Sequence, residues 1–176
     1  IEKVIQSWDS PLAQKYRKLA KLSETDAGMA VVVQVMKFGE WNKNSGTGII
    51  CTRNPVTGEN TPTGEYLVQT NGDKLVSGKV KPAGLDYLKE NQPENYRLLL
   101  NIAGQSEQLA AFPRELEFTI EDKKLFILQT RNLKMTENAA LTVYHDLAEE
   151  GLITKKQAVQ SVNQKICAVI GNFHAQ

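Results

Sequence analysis

The stretch from residue 114 to residue 132 reads RELEFTIEDKKLFILQTRN, and its two apolar runs predict a β-hairpin. The first run, Glu115–Ile120, alternates polar with apolar side chains, as a strand with one exposed and one buried face does. In the second run, Leu125–Arg131, the side chains of Gln129 and Arg131 share a face because they are two residues apart. The stretch therefore predicts two adjacent antiparallel strands with a common polar face.

The pairing register of this hairpin decides what the polar face contains. If Glu117 stands opposite Gln129, Glu115 stands opposite Arg131, and every apolar residue from Leu116 to Leu128 is expected on the core side. We call Glu115, Glu117, Gln129 and Arg131 the polar patch. Mg²⁺ takes carboxylate and phosphate oxygens, and arginine forks onto phosphates, so the patch suits a metal-bound nucleotide. The alternative is an edge hairpin that carries only weak cross-strand ion pairs.

The amino-terminal part of the chain predicts a helix followed by a buried strand. Ser10 before Pro11 is typical of a helix start, and Arg17 is expected on a cationic outer face. The apolar stripe of this helix is Leu12, Tyr16 and Leu19. The β-branched run Met29–Met36 then predicts a central strand covered on both faces, and it is the best core candidate.

The rest of the chain completes an α+β fold class, in which an antiparallel sheet of hairpins is flanked by helices. Eight of the twelve glycines lie between Gly39 and Gly84, which indicates hairpins with glycine turns. After the hairpin of residues 114–132, Thr136 is expected to cap one helix, and Thr154 with Gln157 is expected to form the capping box of another. The expected segments are a helical segment 1–27, a β-rich subdomain 28–132, a helical linker 133–163 and a tail 164–176.

Composition excludes several classes of protein. The 176 residues are 41% hydrophobic and 23% charged with a net charge of +1, so we expect no nucleic-acid partner. No apolar run approaches the roughly 20 residues that span a bilayer, and no membrane partner is expected. Cys51 and Cys167 lack metal-ligand spacing, which favours a reducing, cytoplasmic compartment. Because the chain begins with Ile1 inside a predicted helix, it is expected to be a piece of something longer.

Six segments resemble the nucleotide-binding domain of the pyruvate phosphate dikinase family, in the family's order and spacing. They are Ser45–Gly48, Thr52–Glu59, Gly64–Leu67, Glu117–Glu121, Leu128–Asn132 and Glu150–Thr154. The resemblance covers about residues 1 to 160, and it implies the carboxyl-terminal portion of an ATP-grasp nucleotide domain. ATP and Mg²⁺ are the cofactors that it implies.

The resemblance also implies roles for the polar patch. Glu115 and Glu117 match the family's metal-binding acids, and Gln129 and Arg131 match its phosphate-binding, catalytic pair. Glu115 departs from the family, which usually has Asp there, and the extra methylene moves the carboxylate outward by about 1.5 Å.

Three further positions match residues of the family's nucleotide cleft. Glu65 matches an acid that lines the cleft, Asp73 matches the first of two acids, and Arg53 is expected to orient its loop or approach a phosphate. Each has a simpler interpretation: a solvated strand start for Glu65, a turn residue for Asp73, and an exposed arginine before a turn for Arg53.

The resemblance implies partners beyond this chain. In the family, ATP phosphorylates a histidine on a separate domain, but His145 and His174 lack the family's Thr-Ser-His context and are expected to be ordinary surface residues. An amino-terminal nucleotide subdomain is also expected to be missing. Because phosphoryl transfer needs all of its clamping charges together, we expect this piece alone to be inactive.

Two other functions remain open on the sequence alone. A phosphoenolpyruvate synthase uses a related nucleotide domain with another acceptor. A truncated docking or regulatory module would keep the fold without turnover.

Overall fold

The computed structural model describes most of the chain, in the ranges 1–22, 28–70 and 82–162. Asp73 and His174 lie outside the described residues, as do the apolar runs Leu75–Val80 and Ile166–Ile170. The chain divides into two compact units, Ile1–Met36 and Lys37–Gln176, and each is described by itself.

The described residues of the first unit form three short helical segments. They are α1 (Glu2–Gln6), a 3₁₀ turn (Ser7–Asp9) and α2 (Pro11–Leu19). Ser10 caps α2 as predicted, since its side chain accepts a hydrogen bond from the backbone N–H of Ala13. The prediction for Arg17 is wrong, because this side chain is buried: its guanidinium lies 4.0 Å from the ring centroid of Trp8 and donates to the Trp8 carbonyl oxygen at 2.6 Å.

The apolar run Met29–Met36 is not the central strand that its composition predicts. It contains no strand, and Val32, Val33 and Val35 are 82%, 74% and 80% exposed. A strand needs a hydrogen-bonded neighbour, and the five strands of the described residues all pair with one another in the second unit. A high β propensity therefore does not bury this run, because no described strand pairs with it.

The second unit is built on a five-stranded antiparallel sheet, which confirms the α+β class. The strands lie in the order β3-β2-β1-β4-β5. In chain order they are β1 (Gly46–Cys51), β2 (Thr63–Val68), β3 (Ala83–Gly84), β4 (Arg114–Glu121) and β5 (Lys124–Asn132). The helices are α3 (Leu85–Asn91), α4 (Pro93–Ala110) and α5 (Glu137–Glu149), and residues 155–162 are also helical.

One face of the sheet packs against α3 and α4 to form the core. The buried residues are Ile50, Tyr66, Leu85, Leu88, Leu99, Ala103, Leu116, Phe118 and Ile120. Because side chains alternate along each strand, the opposite face carries the other residues of β1, β2 and β4. This opposite face holds the polar side chains discussed below.

Gly48 in the middle of β1 allows two aromatic rings to meet. Tyr66 and Phe118 pair with Gly48 from either side, and their rings stack with centroids 6.0 Å apart and planes within 2°. A Cβ atom on Gly48 would lie 2.6 Å from the Phe118 ring and 2.5 Å from the carbonyl oxygen of Glu65. Only glycine fits here without a shift of the neighbours.

The helices after the sheet begin at the predicted caps. Thr136 accepts a hydrogen bond from the backbone N–H of Ala139 at 3.2 Å, and α5 begins at the next residue. Thr154 and Gln157 make both hydrogen bonds of the capping box, at 2.8 and 3.2 Å. Gly151 lies just beyond α5 with φ +75°. Both capping predictions are confirmed.

The longest of the described helices is α4, with 18 residues that include Glu94, Arg97 and Glu107. In the ranges that the structure describes, no helix is long and apolar enough to cross a membrane.

Candidate functional site

The hairpin of β4 and β5 has the predicted register on its polar side. Glu117 pairs with Gln129, and Glu115 pairs with Arg131. The four side chains of the polar patch therefore leave the same face of two neighbouring strands. This part of the sequence prediction is confirmed.

A β-bulge at Leu128 changes the register in the rest of the hairpin. Glu117 pairs with Gln129, but the next pair is Phe118 with Ile127, so Leu128 has no partner in the ladder. The extra residue shifts the alternation of β5 by one position before it reaches the turn.

The bulge makes the predicted core side of β5 partly wrong. Leu125 and Ile127 pack against the core, whereas Phe126 faces the other side of the sheet, and Leu128 is 38% exposed. The ammonium group of Lys37 lies 4.2 Å from the centroid of the Phe126 ring. Phe126 is thus covered by a cation on the polar face, because the inserted residue reversed the two-residue period.

The strand pairings extend the polar face across β1 to β2. Glu117 pairs with Ile49, and Ile49 pairs with Glu65, so one row across the sheet reads Glu65, Ile49, Glu117 and Gln129. The next row along the strands is Thr63, Cys51, Glu115 and Arg131. Glu65 is exposed on the same face as the polar patch, two strands from Glu117 and therefore about 10 Å away.

Arg131 is held by the acids of its own patch. Its Nε donates to Glu115 Oε1 at 2.8 Å, and its Nη2 contacts the same oxygen. Nη2 also lies 3.8 Å from Glu117 Oε1. The hydrogen bond and charge of Glu115 raise the pKa of Arg131. The guanidinium is 47% exposed, so it can reach a solvent-borne anion without crossing the core.

Cys51 lies between Thr63 and Glu115 in the second row. Partial burial, followed by the charge of Glu115, raises the pKa of its thiol to about 11. The thiol therefore stays protonated at neutral pH and is a weak nucleophile.

The donor set of the patch suits a metal that brings its own further ligands. Among the residues with described placement, no group of three or more His, Cys, Asp or Glu side chains is arranged to hold a metal ion. Glu115 and Glu117 supply two carboxylates on one firm strand. Mg²⁺ is commonly bound by one or two carboxylates, with phosphate oxygens and waters as the remaining ligands, so two acids fit this ion.

Arg53 is fully buried among acids, so the interpretation as an exposed arginine is wrong. Its Nε donates to Glu107 Oε1 at 2.7 Å, and its Nη2 donates to Glu150 Oε2 at 2.6 Å. Nη1 lies 3.8 Å from Asp146 Oδ2. Burial works against the charge on Arg53, but the hydrogen bonds to Glu107 and Glu150 raise its pKa. These contacts join the end of β1 to α4 and to the end of α5.

His145 is exposed on α5, as predicted for a surface histidine. Its Nδ1 lies 3.0 Å from Asp146 Oδ1. This hydrogen-bonding contact is with the adjacent residue of α5, which is outside the polar patch.

The sequence matches the family described as pyruvate phosphate dikinase, AMP/ATP-binding domain, over residues 1–97, which is more than half of the chain. The chain belongs to this family. The expected label of carboxyl-terminal portion is wrong, because the dikinase domain that matches is the amino-terminal one of the parent protein. The α+β sheet and the dikinase family agree with a nucleotide-binding domain.

Curated dikinases are similar to this chain over nearly its whole length. Pyruvate, phosphate dikinase of Clostridium symbiosum is 41% identical over 165 residues, which are 94% of the chain and 19% of the relative. Pyruvate, phosphate dikinase 1, chloroplastic, of Arabidopsis thaliana is 39% identical over 162 residues, 92% of the chain and 17% of the relative. The dikinase of Rickettsia conorii is 39% identical over 168 residues, which are 93% of the chain and 19% of the relative. The chain spans about a fifth of the length of these relatives.

Sequence reasoning missed two members of the sheet's polar face, Ile49 and Cys51. The available signal was the alternation along β1, which puts Thr47, Ile49 and Cys51 on one side. That alternation becomes informative only once β1 is known to lie between β2 and β4.

Proposed function

We propose that the polar patch is part of an MgATP site, with Glu115 and Glu117 on the metal and Gln129 and Arg131 on the phosphates. The observation that carries the proposal is the register of β4 and β5, which gives two carboxylates, an amide and a guanidinium one common face. Glu65 continues that face on β2 and is proposed to line the nucleotide cleft.

The charges of the patch suit both halves of a metal–phosphate pair. Glu117 has only a distant contact to Arg131, at 3.8 Å, and its side chain is 36% exposed, so its carboxylate is available to a cation. When bound, Mg²⁺ neutralises phosphate charge that builds up during transfer. Arg131 presents a planar fork of N–H donors that matches two phosphate oxygens.

The ion pair with Glu115 gives Arg131 a defined resting position. A long arginine side chain loses conformational freedom when it binds an anion, and the hydrogen bond at 2.8 Å already restricts it. Gln129, the other phosphate-side residue, lies on the same edge strand and is exposed. The two side chains therefore stand beside each other on the exposed edge strand of the sheet.

We also propose that the fold is of the ATP-grasp type and that Asp73 contributes to the cleft, as the family resemblance implies. For Arg53 we propose the loop-orienting role rather than phosphate contact. Its hydrogen bonds to Glu107 and Glu150 support this choice, because both carboxylates already occupy its guanidinium.

The complete protein is proposed to use ATP and phosphate to phosphorylate a catalytic histidine and then pyruvate, giving phosphoenolpyruvate, AMP and pyrophosphate. The names of the relatives support this reaction, and their greater length supports further domains, among them one with the acceptor histidine. Phosphoryl transfer requires charges on both sides of the nucleotide. The 176-residue piece alone is therefore expected to be inactive.

The test is Glu117→Gln in the complete protein, which removes the negative charge at constant shape. We expect ATP-dependent labelling of the histidine to fall by about 100-fold or more, the scale of losing one preorganised electrostatic contact. Glu121→Gln is the matched control, since Glu121 lies on the same strand and bonds Lys37 outside the patch. Near-normal labelling by Glu117→Gln would refute the metal assignment.

The products of the unsubstituted protein distinguish the remaining functions. A dikinase needs inorganic phosphate and releases pyrophosphate, whereas a synthase turns over without phosphate as an acceptor. A complete protein that neither binds MgATP nor labels a histidine would be a docking or regulatory module.

A further inference from the structure

A cavity of about 510 Å³ opens between α4, the loop from β1 to β2, and the segment after α5. Its wall includes Leu100, Gly104 and Glu107 from α4, and Glu150 and Leu152 from beyond α5. No member of the polar patch lines this cavity, so it is distinct from the proposed MgATP site.

The polar part of the cavity carries an excess of negative charge. Three carboxylates, those of Glu107, Asp146 and Glu150, surround the single guanidinium of Arg53. Glu107 and Glu150 also lie on the cavity wall. One cation therefore leaves two negative charges without a counterion in this network.

Glu107 has an unused acceptor at this position. The residue is 7% exposed, its Oε1 accepts from Arg53, and its Oε2 has no hydrogen-bond partner within the described part of the chain. A buried carboxylate oxygen without a donor costs free energy, and Glu107 is one of the residues that line the cavity. In the same network Arg53 Nη1 is also buried without a hydrogen-bond partner among the described residues. The cavity volume far exceeds the roughly 30 Å³ of one water.

We propose that this cavity binds a small organic cation, namely a primary ammonium or guanidinium group on a short apolar stem. The charged end would donate to Glu107 Oε2, and the stem would pack on the apolar wall of Leu100, Ala103 and Leu152. Glu150 would add its negative charge, since its two carboxylate oxygens already accept from Arg53 and Asn60. A bare divalent ion fits less well, because the apolar wall of Leu100, Ala103 and Leu152 offers it no oxygen ligands.

The test is a titration of the ¹⁵N-labelled chain with n-butylammonium, followed by amide chemical shifts. We expect saturable shifts confined to the cavity wall. The same titration with 1-butanol, which has the same shape without the charge, is expected to give none. Equal binding of both compounds would overturn the proposal, and so would no binding of n-butylammonium, which would mean that the cavity holds only water.

Gly104→Leu is expected to fill part of the cavity while it leaves all the charged side chains in place. An added Cβ on Gly104 meets no atom within 4 Å, so a larger side chain can enter the open space. We expect the affinity for n-butylammonium to fall at least tenfold. Gln105→Leu is the matched control, because Gln105 is the next residue of α4, is exposed and does not line the cavity, and its affinity should stay within twofold. Equal affinities of the two variants would show that n-butylammonium binds outside the cavity and would overturn the proposal.

A second probe distinguishes a lysine side chain from a free amine as the source of the ammonium group. Nα-acetyl-lysine methylamide carries its ammonium group on a peptide unit, as a lysine side chain of a polypeptide would. Comparable binding of this probe would assign the cavity to a basic side chain, and binding of n-butylammonium alone would assign it to a free amine. Neither result depends on MgATP, so failure here and failure of the proposed function are separate.

Discussion

Replacement of Arg53 by methionine is expected to destabilise the second unit strongly. Methionine keeps an apolar stem of similar length but removes the cation that neutralises Glu107, whose side chain is only 9% exposed. Removing one partner of a buried ion pair costs about 3–5 kcal/mol, because the other charge stays buried. Glu150 adds little to this loss, since its side chain is 35% exposed and water can solvate it.

The assay is urea unfolding of the chain at pH 7, followed by far-UV circular dichroism. A loss of about 3–5 kcal/mol corresponds to a fall in melting temperature of roughly 6–20 °C for a chain of this size. Arg97→Met is the matched control, because Arg97 is an exposed arginine on α4, and its effect should stay within about 0.5 kcal/mol.

A double variant separates the charge effect from a packing effect. In Arg53→Met combined with Glu107→Met, no buried charge is stranded, so most of the lost stability is expected to return. The reasoning is refuted if Arg53→Met costs less than about 1 kcal/mol, or if the double variant is no more stable than the single one.

Two further predictions concern residues of β1, namely the packing around Gly48 and the reactivity of Cys51. Gly48→Ala places a Cβ 2.6 Å from the Phe118 ring and should lower the free energy of unfolding in urea by about 1–3 kcal/mol. Gly104→Ala has open space in a helix and should raise the free energy of unfolding by about 0.5–1 kcal/mol. Equal effects of the two substitutions would contradict the packing argument. The pKa of Cys51, raised from 9.0 to about 11, should slow its alkylation by iodoacetamide at pH 8 about 100-fold relative to the urea-unfolded chain. Peptide mass spectrometry reads the modified fraction, and equal rates in the two states would show that the folded site does not suppress the thiolate.

Local patterns account for the elements that were predicted correctly. The helix caps at Ser10, Thr136 and Thr154 depend on hydrogen bonds between residues three positions apart, so a short segment of sequence contains all of their partners. The pairing of Glu115 with Arg131 also follows from the alternation of two runs joined by a short turn.

Long-range partners account for the elements that were not predicted. Arg53 looks like a loop arginine until Glu107 and Glu150, far along the chain, enclose it. Met29–Met36 looks like a central strand, but composition cannot supply the neighbouring strand that would cover it. The position of Glu65 beside the patch likewise required the strand order, with β1 between β2 and β4.

Spacing within short segments was enough to predict the α+β class, the helix caps and the common face of the four side chains of the polar patch. The bulge at Leu128, the burial of Arg53 and the row that joins Glu65 to Glu117 became visible only in the folded chain. These features depend on which distant segments meet, and that is set by packing of the whole sheet against its helices.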